Sequence, residues 1–95
     1  MPEHNILSIY MPEKTLYKPF PYKGNGNFKY SVYVKDGKII HFGDKRYKDF
    51  RQHKDQKRRK SYLARAKGIT NKEGKRTWTD KNTKNYWSVH YLWAG

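Results

Sequence analysis

The sequence predicts an α+β fold: a two-stranded antiparallel hairpin packed on two or three helices, with an extended N-terminal arm. Three observations carry that expectation. Apolar residues alternate on both sides of Asp36-Gly37, an amphipathic run follows the capping residue Asp55, and all four prolines fall within the first 21 residues.

The arm comes first in the chain. Pro2, Pro12, Pro19 and Pro21 interleave with Ile6, Leu7, Ile9, Tyr10, Leu16, Tyr17, Phe20 and Tyr22. Proline removes a backbone donor and blocks helix or central strand, so the stretch reads as extended. Lys23-Gly24-Asn25-Gly26-Asn27 is turn-rich and reads as a hinge, which divides the chain into an arm over 1–27 and a compact basic domain over 28–95. The arm's apolar side chains need cover, and Tyr10, Leu16, Tyr17 and Phe20 are its candidate anchors on a neighbouring protein.

In the domain, Phe28, Tyr30, Val32 and Val34 alternate with Lys29, Ser31, Tyr33 and Lys35. Asp36-Gly37 supplies a two-residue type I′ turn, and Lys38 to Phe42 returns as the second strand. Such a turn would pair Val34 with Ile39 and Val32 with His41 on one face, and Tyr33 with Ile40 and Ser31 with Phe42 on the other. Both faces carry apolar groups, so both require cover. Asp44 is a candidate cap for a short helix carrying Tyr47 and Phe50.

Asp55 is the stronger cap. It opens a helix over about Gln56 to Lys67, with Arg59, Tyr62, Leu63 and Ala66 on one stripe and Gly68-Ile69 as the stop, Ile69 folding back on Leu63 or Ala64. Asn71 to Lys75 reads as a loop, with Trp78 plugging the core beyond it. Asp80 or Thr83 caps the last element, where Tyr86, Trp87, Val89, His90 and Trp93 fit helical spacing slightly better than strand alternation.

Composition bounds the function. At 95 residues and 17% aromatic, the chain suits one domain with a ring-built core, since disordered segments are poor in rings. With no cysteine, disulfides and thiolate zinc sites are excluded, and no apolar run approaches a membrane span. The formal charge of +14 calls for an anionic neighbour. Between Lys45 and Arg76, 14 Lys and Arg face 3 acids, so 14 minus 3 leaves +11 in a third of the chain. Of these, Lys54, Lys57, Arg58, Lys60, Arg65 and Lys67 are the candidate anion-binding side chains. A solvated helix face would mix acids with its bases.

No catalytic residue, metal ligand or cofactor site is expected. His4, His41, His53 and His90 form no pair at ligand spacing, and His41 reads as a satisfied strand histidine. Tyr30 to Val34 with Gly37-Lys38 and His41-Phe42-Gly43 faintly echoes the first hairpin of GIY-YIG endonucleases. The echo ends there, because Glu3, Glu13 and Glu73 are the only glutamates and lie in the arm or a glycine loop. Tyr86, Trp87, Tyr91 and Trp93 read as core rather than as a base-stacking platform.

The ordered series His41-Phe42-Gly43-Asp44, Tyr47, Asp49-Phe50, His53-Lys54-Asp55, Arg58-Arg59, Tyr62, Arg65-Ala66, Tyr86-Trp87 and Leu92-Trp93 resembles a family of short basic proteins of no assigned function encoded by large DNA viruses of algae and protists. The resemblance spans about Phe28 to Trp93 and leaves the arm outside. It implies a viral setting: synthesis in the host cytoplasm and a place in the virion. On that basis the expected function is a non-enzymatic minor capsid or cement protein contacting other proteins of the capsid shell. Sequence-independent DNA binding by the same cationic face is the alternative.

Overall fold

The computed structural model describes residues 15–95. The architecture is α+β, and its sheet has three strands rather than two. Strands β1 (Phe20–Pro21), β2 (Phe28–Tyr33) and β3 (Ile39–Asp44) form an antiparallel sheet in the order β1-β2-β3. Three helices follow: α1 (Phe50–His53), α2 (Gln56–Ala66) and α3 (Lys84–Trp87), the last continuing as a π-helical turn over Ser88–Leu92.

The extra strand comes from the stretch read as an arm. Phe20 pairs with Ser31 and Pro21 with Tyr30, an edge position where proline's missing donor costs nothing. The glycine-rich segment 23–27 thus connects two strands, closed by Tyr22 N–H donating to Lys29 O at 3.1 Å and Gly26 N–H donating to the Tyr22 hydroxyl at 3.0 Å. Tyr10, one of the expected anchors, lies outside the described residues.

The hairpin between β2 and β3 forms with Asp36 (φ 63°) and Gly37 (φ 70°) in the left-handed conformation that a type I′ turn needs. Its register differs by one from expectation. Tyr33 faces Ile39, Val32 faces Ile40, Ser31 faces His41 and Tyr30 faces Phe42. The cause is local: Val34 N–H donates to Lys38 O at 2.9 Å, so Lys35 is an extra residue at the mouth of the turn. The slip puts Tyr30, Val32, Val34, Ile40 and Phe42 on one face.

That face carries the core. Val32 and Phe42 are fully buried, and Trp87 and Leu92 cover them with Tyr86, Tyr91 and Trp93 around the rim. Burying each such side chain contributes about 1.5–3 kcal/mol. At Gly43 the C-terminal helical segment packs tightly on the sheet. A Cβ there would lie 3.0 Å from Leu92 Cδ1 and 3.1 Å from Lys29 Cβ, and its φ of +79° favours glycine independently. The opposite face holds Ser31, whose hydroxyl lies 2.7 Å from His41 Nδ1, under Phe20 stacked on Tyr33 and Tyr22 edge-on to His41.

Two capping expectations need correction. Asp44 does not cap a helix, because it remains in the ladder opposite Phe28 while its carboxylate turns onto Arg46. Tyr47 is consequently outside any helix and 70% exposed, and Asp49 precedes α1 instead. At the end of α2, Gly68 N–H and Ile69 N–H donate to Arg65 O and Ala66 O, a tightened last turn that leaves Ile69 51% exposed rather than folded back. Asp55 and Thr83 do cap α2 and α3: Asp55 Oδ1 accepts from Lys57 N–H and Arg58 N–H, and Thr83 Oγ1 from Tyr86 N–H.

A cationic groove as candidate functional site

The turn after β3, the start of β2, the outer side of α2 and the start of α3 enclose a groove of about 960 Å³. Its basic lining draws on all four segments: Lys29 from β2, Arg46 and Lys48 from the turn, Lys57, Arg58 and Arg65 from α2, and Lys84 from α3. Helical spacing explains the α2 contribution, since positions 57, 58, 61, 62 and 65 share one side of a 3.6-residue helix.

Only two acids, Asp44 and Asp49, line the same groove, and both are engaged. Arg46 binds Asp44 through Nε (3.0 Å) and Nη2 (2.8 Å), and its backbone N–H donates to the same carboxylate. These bonds hold the Asp44 carboxyl down at about 2. Asp49 is buried, and Lys29 Nζ bridges Asp49 Oδ2 at 2.7 Å and Gln52 Oε1 at 2.6 Å. The outward field of the groove is therefore positive.

Its aromatic content is of two kinds. Tyr62 and Trp93 stack at 4.1 Å with an interplanar angle of 8°, and burial raises the Tyr62 phenol above its ordinary value against an opposing Ser88 hydrogen bond. Tyr47 makes no ring contact among the described residues and stands exposed beside Arg46 and Lys48.

Of the six cations singled out from the sequence, Lys57, Arg58 and Arg65 meet in the groove. Lys60 is exposed on α2 outside it, Lys54 lies 5.9 Å from the centroid of the Phe50 ring, and Lys67 covers the half-buried Trp78 at 4.6 Å. Sequence reasoning missed Lys29, Arg46, Lys48 and Lys84 as site residues. Arg46 and Lys48 lie inside the basic run, at its start, and were legible there; nothing in the sequence brings Lys29 or Lys84 to α2. Of the expected anchors, Tyr17 donates to Asn82 Oδ1 at 2.9 Å and packs against the core, Phe20 stacks on Tyr33 at 5.4 Å, and Leu16 stays 47% exposed.

The described histidines serve local structure. His53 Nδ1 accepts from Asp55 N–H at 2.9 Å, and the His90 ring nitrogens lie 3.0 Å from Gly95 O and 3.1 Å from Trp78 O. Among the described residues no three His, Cys, Asp or Glu side chains come together as a metal set, and no helix is long and apolar enough to cross a membrane.

Comparison with known proteins bears on the same segments. Residues 23–66 match the model of a family of unknown function (DUF5754). The matched stretch runs from the β1–β2 connection to the end of α2 and so includes most of the groove's cations, but not Lys84 or the covering helix. No curated protein and no solved structure is significantly similar to the chain.

Proposed function

We propose that the protein is a non-enzymatic, sequence-independent nucleic-acid-binding protein that holds phosphates in the groove between the 44–49 turn, α2 and α3. One observation carries the reading: cations from four separate segments converge on one concave surface whose only acids are already neutralised. Phosphate contacts of that kind supply affinity through counterion release and need no base reading. The resemblance to proteins of large DNA viruses supplies the setting, a particle or infected cell in which the protein meets packaged or exposed genome.

A minor capsid or cement role is the second reading. It is favoured by Leu16 and Ile39, which are 47% and 42% exposed and are both joined to Tyr33 in the sheet, Leu16 by a bridge and Ile39 by strand pairing. The engagement of Tyr17 and Phe20 within the chain leaves that reading fewer anchors than the sequence suggested.

Titrating mixed-sequence DNA with the whole chain at rising salt distinguishes the two. Nucleic-acid binding predicts an affinity that falls linearly on a log–log plot, and a shallower slope for the K57Q/R58Q/R65Q variant, by about one for each phosphate no longer neutralised. Absence of DNA binding at low salt, together with loss of particle incorporation in an L16S/I39S variant, would sink the nucleic-acid reading in favour of the structural one.

A further inference from the structure

One feature of the groove goes beyond attraction of phosphate: Tyr47, a ring 70% exposed and flanked by Arg46 and Lys48. Isolated cations would serve a duplex backbone equally well, but an exposed ring between them offers a stacking surface that only an unpaired base can use.

The groove's volume, about 960 Å³, is of the size small-ligand sites reach, and its cations flank the ring on more than one side.

We infer that the groove is a single-strand site, in which an unpaired base stacks on Tyr47 while Lys57, Arg58 and Arg65 hold the adjoining phosphates. The inference rests on the nucleic-acid reading above and narrows it from DNA in general to unpaired nucleotides.

The test compares a fluorescein-labelled dT oligonucleotide of roughly 15 nucleotides with a dA·dT duplex of equal length, at one salt concentration, for the native chain and for the Tyr47→Ala and Tyr47→Phe variants. Tyr47 is outside the core, so both variants are expected to fold, as circular dichroism would check. The expected result is tighter binding of the single strand, a roughly 5- to 150-fold loss of that affinity in Y47A, retention in Y47F, and unchanged duplex binding throughout. Equal single-strand and duplex affinities with Y47A indistinguishable from the native chain would overturn the single-strand site while leaving phosphate binding intact. Binding of neither probe would overturn both.

Discussion

Lysine and arginine occupy two contrasting kinds of position in this chain. Around the aromatic core they are fixed against the fold: Arg51 lies 4.4 Å from the centroid of the Tyr91 ring, Lys81 covers Tyr17 at 4.2 Å, and Arg59 donates to Trp93 O at 2.9 Å. In the groove, by contrast, Lys48, Lys57 and Arg65 make no side-chain hydrogen bond or ion pair with any described residue. The first group turns excess charge into packing, because a cation over a ring contributes about 0.5–1 kcal/mol and more when desolvated. The second group is left with its charge directed outward. A net charge alone says nothing about this division; partners do.

The division predicts opposite consequences for substitutions on its two sides. The largest effect belongs to the core itself, where Phe42→Ala should lower unfolding free energy by about 3–5 kcal/mol in a denaturant titration. Next comes Lys29, the groove residue that belongs energetically with the first group. Lys29→Met leaves the buried Asp49 carboxylate unpaired and should cost on the order of 3 kcal/mol, whereas an exposed cation would cost almost nothing. Arg51→Gln should fall between, at about 1 kcal/mol, because the guanidinium no longer covers the Tyr91 and Tyr30 rings. Lys57→Gln should shift stability by less than about 0.5 kcal/mol while reducing the salt slope of DNA binding.

The smallest effect is one of pH. The Asp44 carboxyl is held at about 2, below its ordinary 3.8, chiefly by the Arg46 hydrogen bonds. Its contribution is therefore complete above about pH 4 and is lost as pH falls through 2. Comparing acid unfolding of the native chain with that of Asp44→Asn should show a difference that shrinks across this window; a difference persisting below pH 2 would contradict the assignment.

Local signals in the sequence were legible where the physics is local. Asp36-Gly37 specified the turn, Asp55 the start of α2, and helical spacing the inward stripe of Arg59, Tyr62, Leu63 and Ala66, all of them half-buried or buried. What went unread depends on distant neighbours. Pro19 and Pro21 argued against a strand at Phe20, yet an edge place beside β2 tolerates them. The one-residue slip of the hairpin followed from Lys35, which no dipeptide rule includes. The groove was half visible: the α2 cations lie in the basic run, but Lys29 comes to it from β2, paired beside Gly43, and Lys84 from the helix that packs on the sheet there.

Amide chemical-shift mapping of the whole chain with a short dT oligonucleotide tests the division of cations most directly. Shifts should concentrate at Arg46, Tyr47, Lys48, Lys57, Arg58, Arg65 and Lys84, with Arg51, Lys67 and Lys81 unmoved. Perturbations centred on Arg51, Lys67 and Lys81 instead would show that the ring-bound cations, not the groove, meet the anion.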